Sequence, residues 1–340
     1  MLLFLMDWDK LIEKYDRKNV IAWMRTFPEQ IAEAVYIGRK FRPKKRKVEK
    51  IVACGMGGSG VGAAILRDWL KKELTVPFEV FNSYTLPAYV DSRTLVLCIS
   101  FSGNTEETIA CFREAKRKKA YVIGVTKNGM LRKMAGKNCL FVPNASPQPR
   151  MGLAYMLMPL LVALESMKLI KSKNSELTEA FFLLKKESRP LEAKARELAL
   201  KMRGKLPIIY APEELTTLTY RFRKEVNENS KQFLLNNYVP EQNHNEISVR
   251  FGLKKKDCGI FLLRHENEYS RVSRRFSVLK KIMGGHFRIT EVNLKGKSLI
   301  AVTLYGLQLA ALTSYYLALL NGLDPEPVPD IAVLKKALKG

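Results

Sequence analysis

The sequence predicts an α/β fold made of two αβα sandwich domains, each with a mainly parallel central sheet. Three observations support this class. Short, continuous apolar runs alternate with amphipathic helical patterns, which is typical of parallel strands covered on both faces. This alternation occurs in both halves of the chain. The length of 340 residues suits two domains of ordinary size.

The first half alternates most regularly. Its strand-like segments are all short and apolar, and they comprise residues 51–55, 78–82, 95–100, 121–126 and 139–144. Helical patterns lie between them at residues 60–74 and 105–119. Because consecutive parallel strands need crossover connections, this order predicts a parallel sheet with helices on both faces.

The second half repeats the pattern with longer helices. Strands are predicted at residues 207–212, 259–264 and 287–293. Helices are predicted at residues 175–203, 213–229, 268–283, 299–320 and 331–339. The polar stretch at residues 171–177 is interpreted as the linker, which gives domains at 1–172 and 173–340.

The composition is globular, but the charge is unusual. Apolar residues make up 47% and charged residues 27%, which excludes a mainly disordered or fibrous chain. The net charge is +25, with 28 basic and 15 acidic residues in 1–170 and 30 and 18 in 171–340. Such a charge raises nucleic acid as a possible partner. Since the excess is spread evenly and its densest run (39–50) resembles a solvated linker, we expect a diffuse field that attracts small anions, and no nucleic-acid partner.

Cysteine and histidine usage indicates a reducing compartment without a metal centre. The five cysteines form no CxxC pair, and Cys54 and Cys98 lie inside apolar strand-like runs. The three histidines are far apart in sequence. The opening run MLLFLM is too short for the core of a signal peptide, so a cytoplasmic location is expected.

Residues 299–320 form a 22-residue stretch without charge, which is long enough to span a bilayer. The stretch contains Thr303, Gln308, Thr313 and Ser314, and a proline-rich turn follows it. We interpret it as a buried helix in a core or a subunit interface, and we expect no membrane association.

The first strand is followed by the glycine-rich segment CGMGGSG, in which Gly55, Gly57 and Gly60 match G-x-G-x-x-G. Such a turn lets an anion approach the backbone at a helix N-terminus. Glu79 lies 19 residues after Gly60, so a dinucleotide site is an alternative. However, Glu79 falls inside the next strand rather than at its end, and the lone motif is weak evidence.

A second loop, SFSGNT (residues 100–105), joins another strand to a helix. Hydroxyl groups, backbone N–H groups and a positive helix end converge there, which suits a phosphate. Simple helix capping by Ser and Thr is the alternative for this loop alone. Two such loops at neighbouring strand ends favour one shared ligand crevice.

The pair GMGGSG and SFSGNTEET closely resembles the sugar isomerase (SIS) domain, a phosphosugar-binding αβα sandwich. Segments across nearly the whole chain are similar to the archaeal bifunctional phosphoglucose/phosphomannose isomerases. These segments are Pro149-Arg150, Asn227-Glu228-Asn229-Ser230-Lys231, His244-Asn245 and Leu334-Lys335. The resemblance implies two SIS-type domains and an aldose–ketose isomerase that interconverts glucose 6-phosphate with fructose 6-phosphate through a cis-enediol.

The resemblance also implies roles for individual residues. Phosphate binding falls to residues of the two loops, Gly57, Gly58, Ser59, Ser100, Ser102 and Thr105. The catalytic residues are Glu228 as the C1/C2 base, His244 in ring opening, Arg150 beside the enediolate and Lys335 near the ring oxygen. From composition alone, each could be a solvated or structural side chain.

Partners and substrates follow from the same resemblance. It implies no metal, no cofactor, and a homodimer in which one subunit supplies the histidine to the other. Some members carry a threonine seven residues before the C-terminal lysine that is associated with mannose-configured substrate. Here that residue is Val328, which leaves mannose 6-phosphate open. Competing interpretations are a non-catalytic phosphosugar sensor and, from G-x-G-x-x-G, a nicotinamide-dependent oxidoreductase.

Overall fold

The computed structural model describes residues 6–143, 146, 148–249 and 254–337, without the side chains of residues 332, 335 and 336. The chain divides into two compact units. The N-terminal unit is Thr26–Ser175. The C-terminal unit combines residues 176–337 with residues 6–25. The division expected from the sequence grouped residues 6–25 with the first domain, so the two divisions differ at the N-terminus.

The reason for this difference is a buried carboxylate between the first two helices, α1 (Trp8–Tyr15) and α2 (Val20–Arg25). Asp16 accepts hydrogen bonds from the N–H groups of Val20 and Ile21 at 2.7 and 3.0 Å. It also accepts one from the Tyr315 hydroxyl at 2.8 Å. This long-range contact fixes the segment to the C-terminal unit.

The N-terminal unit contains a five-stranded parallel sheet in the order β2-β1-β3-β4-β5. Its strands are β1 (Lys50–Cys54), β2 (Phe78–Phe81), β3 (Thr94–Ile99), β4 (Tyr121–Thr126) and β5 (Cys139–Phe141). The central strands β3 and β4 are buried at every position, because helices cover both faces of the sheet.

The helices of this unit are α3 (Phe27–Lys40), α4 (Gly57–Leu70), α5 (Glu106–Arg117), α6 (Gly129–Ala135) and α7 (Leu153–Ser166). Apolar residues of α5 and α6 pack on the sheet face formed by Val52, Cys54, Val96 and Cys98. Helices α4 and α7 contact each other, and they contact strands β1, β2 and β4. The predicted αβα layering is confirmed for this unit.

The C-terminal unit contains a four-stranded parallel sheet in the order β7-β6-β8-β9. Its strands are β6 (Leu206–Pro212), β7 (Leu235–Val239), β8 (Cys258–His265) and β9 (Arg288–Leu294). Beyond α1 and α2, its helices are α8 (Asn174–Lys186), α9 (Ser188–Met202), α10 (Thr216–Ser230), α11 (Ser270–Met283), α12 (Leu299–Leu320) and α13 (Pro329–Ala337). Helix α11 packs on one sheet face, and α10 and α12 contact each other.

Helix α12 is long and apolar enough to cross a membrane, but 89% of its most apolar 18-residue window is buried. It packs against α9, α10, α1 and α2. The interpretation of residues 299–320 as a buried helix is therefore confirmed.

The structure differs from the prediction at residues 175–203 and at residues 235–239. The single helix expected at residues 175–203 is two helices, α8 and α9, that meet at Glu187. Pro190 lies in the first turn of α9, where a missing N–H is tolerated, and it would break a continuous helix. Strand β7, LNNYV, was not predicted because its two asparagines interrupt the apolar pattern of an edge strand.

Candidate active site

The two predicted phosphate loops follow β1 and β3, which are neighbours in the first sheet. From β1 the chain passes through α4 to β2 on one side, and from β3 it passes through α5 to β4 on the other. The strand order therefore reverses between β1 and β3. Open parallel sheets bind ligands in the crevice at such a switch point, beyond the carboxyl ends of the strands.

The first loop exposes backbone at the start of α4. Gly57 has a φ of +55°, and apart from its chain neighbours and its own helix no atom of the described residues lies within 4 Å of where its Cβ would be. Gly60 is packed tightly, because a Cβ there would lie 2.4 Å from the Gly55 carbonyl oxygen. The N-cap residue of α4 is Met56, whose side chain makes no capping hydrogen bond. The first-turn N–H groups of α4 thus suit an anion.

The second loop is built around its hydroxyl groups. The Ser100 and Thr105 hydroxyls are hydrogen-bonded at 2.8 Å, and the Gly103 N–H donates to Ser100 Oγ at 3.0 Å. Ser100 is buried, whereas Ser102 is exposed and its Oγ accepts from the Asn104 N–H at 3.3 Å. Ser100 therefore shapes the loop, and Ser102 presents its hydroxyl to solvent.

The two loops contact each other directly. The N–H of Phe101 in the second loop donates to Ser59 Oγ in the first at 3.2 Å. The structure thus brings Gly57, Gly58 and Ser59 to the same sheet edge as the second loop. The two loops that the sequence expects to share a ligand crevice are therefore in contact in this unit.

A third loop, after β4, supports the second one and has no motif in the sequence. Gly103 has a φ of +73°, and a Cβ there would lie 1.7 Å from the Asn128 carbonyl oxygen. Asn104 Oδ1 accepts from the Met130 N–H at 3.0 Å, and the Leu131 N–H donates to the Gly103 carbonyl at 2.9 Å. The only local signal for this contact was the glycine in SFSGNT.

Arg150 lies in the short 3₁₀ helix Pro149–Gly152, which contacts α4. Only 5% of the residue is exposed, so the alternative of a surface arginine is wrong. A Cβ on Gly152 would lie 3.2 Å from the Phe101 ring, which places this 3₁₀ helix beside the second loop.

Glu228 lies in the last turn of α10 and is half-buried. Its two neighbours fix this turn to α12. Asn229 Nδ2 donates to Ser314 Oγ at 2.8 Å, and Ser230 Oγ donates to the Ser314 carbonyl at 2.8 Å. The asparagine and serine that are unfavourable in a helix interior therefore serve as anchors at a helix end.

Lys231 follows Glu228 in the left-handed conformation, with φ of 53°. Its ammonium group donates to the carbonyls of Glu228 and Pro327 at 2.9 and 2.8 Å. Pro327 directly precedes the half-buried Val328. This lysine therefore links the turn that carries Glu228 to the segment that carries Val328.

His244 is exposed and ends the 3₁₀ helix Glu241–His244, which follows the carboxyl end of β7. Glu246 holds the segment to the sheet, because its carboxylate accepts from the Tyr210 hydroxyl at 2.7 Å and from Asn237 Nδ2 at 2.6 Å. Burial raises the pKa of the Tyr210 hydroxyl, and its hydrogen bond to Glu246 raises that pKa further.

Glu228 and His244 lie at opposite edges of the second sheet. Helix α10 follows β6 and returns antiparallel to it, so the end of α10 lies at the amino edge. His244 follows β7 at the carboxyl edge. Lys335 falls within α13, but its side chain lies outside the described part of the chain.

The buried thiols near the loops are structural. A hydrogen bond with Cys111 and burial raise the pKa of Cys54, and burial raises that of Cys98 well above its usual value. Both thiols therefore act as small apolar groups in the core of the first sheet, as the sequence indicated. Among the described residues, no group of three acidic, histidine or cysteine side chains could hold a metal ion.

Two family models match the chain. Residues 45–157 match the SIS domain, and residues 191–338 match the bacterial phospho-glucose isomerase C-terminal SIS domain. Together they cover most of both units. The predicted resemblance to SIS domains is confirmed.

Curated relatives match over nearly the full length. A bifunctional phosphoglucose/phosphomannose isomerase from Thermoplasma volcanium is 35% identical, covering 87% of this chain and 93% of the relative. One from Caldicellulosiruptor bescii is 34% identical, covering 92% and 96%. Among solved structures, the C-terminal domain of glucosamine-fructose-6-phosphate aminotransferase from Francisella tularensis superposes with a TM-score of 0.74 at 16% identity, covering 90% and 97%.

Proposed function

The chain belongs to the family of bifunctional phosphoglucose/phosphomannose isomerases, and on that premise we propose that it is an aldose–ketose isomerase of hexose 6-phosphates. It interconverts glucose 6-phosphate and mannose 6-phosphate with fructose 6-phosphate through a cis-enediol. The observation that carries the proposal is the pair of joined loops at the switch point of the first sheet.

The loops hold the phosphate group of the substrate. Backbone N–H groups of Gly57 and Gly58 at the start of α4 face the anion, and the hydroxyls of Ser59, Ser102 and Thr105 donate to it. Ser100 keeps the second loop in shape through its bonds to Gly103 and Thr105. The basic field of the chain raises the local concentration of the dianionic substrate.

Glu228 is the base that moves the proton between C2 and C1. A carboxylate can take this proton only if it is held at a fixed position, and the bonds of Asn229 and Ser230 to α12 restrain its turn. Arg150 stabilises the enediolate oxygen with its guanidinium. Its burial in a segment beside the second loop supports this role, because a cation acts more strongly on a developing charge away from water.

His244 opens the sugar ring, and Lys335 lies near the ring oxygen. Glu228 and His244 lie at opposite sheet edges of one chain, which supports a homodimer whose subunits exchange the histidine. The mechanism uses no metal and no cofactor, so activity is expected to be insensitive to EDTA. The five free thiols and the phosphorylated substrates fit a cytoplasmic location.

The decisive experiment replaces Glu228 by glutamine, which keeps size and polarity but removes the base. We expect kcat for fructose 6-phosphate formation to fall by about a thousandfold or more. KM or the affinity for hexose 6-phosphate should change less than threefold, since the phosphate loops are intact. The control is Glu197→Gln, which removes an exposed carboxylate from α9 and should leave kcat and KM within twofold of the parent values. An active Glu228→Gln enzyme would contradict the assignment.

A further inference from the structure

The amino edge of the second sheet concentrates positive charge. Three loops enter β6, β8 and β9 there, and these strands are consecutive neighbours. Residues 201–205 contain three basic residues, residues 254–257 three with one aspartate, and residues 281–288 two. The topology thus gathers segments that are distant in sequence into one basic edge. Much of the unexplained charge of this half is located here.

A pocket of about 440 Å³ lies at the corner where β8 and β9 begin. Its basic lining side chains come from all three loops, Lys201, Lys205, Lys255 and Arg288. The described lining contains no carboxylate. Phe261, Phe287 and Ile289 provide an apolar floor, and Gly285 leaves open space beside it.

The contacts of these cations leave them available to a ligand. Lys201 pairs with Glu197 at 2.5 Å in an exposed contact, which is worth little in water. Lys255 lies near the carbonyl oxygens of Gly284 and Gly285 at 3.4 and 3.3 Å. Within the described chain, no carboxylate lies within ion-pair distance of Lys205 or Arg288. Four cations held this close repel one another, and a multiply charged anion would relieve that repulsion.

We propose that this corner pocket binds a small ligand that carries two or more linked phosphate groups. A single phosphate would be neutralised by one or two of these cations, whereas a di- or triphosphate can contact the cations of all three loops. Guanidinium and ammonium groups are the side chains that recognise phosphate best. The apolar floor and the volume leave room for an organic group on the phosphate chain.

The pocket is separate from the proposed active site. It lies at the β8–β9 end of the sheet, whereas α10 and its Glu228 turn follow β6 toward β7. Gln232 connects the two regions, because its Nε2 donates to the carbonyls of Met202 and Lys205 at 3.0 and 2.7 Å. None of the lining residues is assigned to phosphate binding or catalysis in the isomerase.

The test measures binding of inorganic tripolyphosphate and of a nucleoside triphosphate to the full chain by calorimetry, with saturating fructose 6-phosphate present. We expect one saturable site per chain for both probes. K255Q/R288Q should weaken both at least tenfold and leave isomerase activity unchanged. K10Q, which removes an equally exposed lysine in α1, should change affinity less than twofold.

The two probes distinguish inorganic from organic ligands. Tighter binding of the nucleoside triphosphate identifies an organic polyphosphate that uses the apolar floor, and equal binding identifies the phosphate chain alone. Absence of saturable binding, competition by fructose 6-phosphate, or equal weakening by K10Q and K255Q/R288Q would overturn the proposal. Unchanged isomerase activity of the double variant shows that it is folded.

Discussion

The two sheets share the order of their first four strands, but the loops at their two switch points carry different residues. In both, the first strand along the chain lies between the second and the third, so both have a switch point. At the first, glycines and hydroxyl residues open α4 and α5. At the second, the loops after β6 and β8 carry carboxylates, Glu213, Glu214, Glu266 and Glu268. The same strand order therefore carries uncharged loops at the first switch point and acidic loops at the second.

The charged side chains at the second switch point pair with one another. His265 Nε2 lies 3.0 Å from Glu214 Oε1, and Arg264 forms a close ion pair with Glu268 and one of 2.8 Å with Glu291. A cavity of about 1120 Å³ lies beside these groups, with four basic and four acidic lining residues. The balance of charge gives a dianion no net attraction. The difference teaches that the loops, rather than the sheet order, select the ligand.

The largest effect is expected when a loop at the first switch point receives a negative charge like those of the loops at the second switch point. Ser102→Glu places a carboxylate in the exposed part of the second loop. Repulsion of a dianionic phosphate costs several kcal/mol, so KM for hexose 6-phosphates should rise by about a hundredfold or more. Steady-state kinetics with glucose 6-phosphate measure it.

The matched control is Glu266→Ser, which removes a carboxylate from the second switch point. It should leave KM within twofold of the parent value. If Glu266→Ser changed KM as much as Ser102→Glu, both edges would contribute to substrate binding and the comparison would fail.

A second prediction concerns the positive φ of Gly103, in the second loop of the first switch point. Gly103→Ala forces a side chain into the Asn128 carbonyl at positive φ, so we expect a loss of about 3 kcal/mol or more in unfolding free energy. Gly136→Ala has φ of +52° and open space around the new methyl group. That variant should lose only about 1 kcal/mol.

Urea unfolding of the two alanine variants separates clash from backbone strain. Similar losses of unfolding free energy in both variants would show that the positive φ is what requires glycine at residue 103. The contact of the second loop with the loop after β4 would then not be the cause. Ser102 is part of the same loop, so a loosened Gly103→Ala loop should also raise KM.

These cases show what local sequence can and cannot predict. GMGGSG and SFSGNT are local motifs, so the loops and their strand-end positions could be predicted. That the two loops lie side by side follows from their being at the ends of neighbouring parallel strands, whereas the bond between Ser59 and Phe101 is seen only in the structure. The support of Gly103 by Asn128, the burial of Arg150 and the docking of Asp16 on Tyr315 depend on contacts across 25 to 299 residues. No periodicity within a segment encodes such partners.

A third prediction compares two carboxylates of the C-terminal unit, Glu246 and Glu214, each of which contacts a polar side chain near a loop. Glu246→Gln weakens the bonds to Tyr210 and Asn237, so the segment that carries His244 should lose its position. We expect kcat to fall about five- to tenfold with KM within twofold, and the pH profile of kcat to broaden. Tyr210→Phe should give a smaller decrease.

Glu214→Gln is the control, because its partner His265 lies at the second switch point, to which we assign no role in catalysis. That variant should change unfolding free energy by about 1 kcal/mol and leave kcat and KM unaltered. A fall in kcat for Glu214→Gln, without one for Glu246→Gln, would contradict the assignment of His244 and point to the loops after β6 and β8 instead.

The smallest effect concerns sugar selectivity. We expect the C-terminal unit to influence it through the segment that contains Val328, and not through the loops at its switch point. Val328 is half-buried next to Pro327, whose carbonyl is held by Lys231. Val328→Thr adds a hydroxyl of nearly the same volume, and a hydrogen bond of about 1 kcal/mol to the sugar should raise kcat/KM for mannose 6-phosphate relative to glucose 6-phosphate about threefold to tenfold. Val333→Thr makes the same exchange on the exposed face of α13 and should leave the ratio unchanged. If both substrates respond equally to Val328→Thr, the segment affects binding in general, and selectivity must arise from the phosphate-loop unit instead.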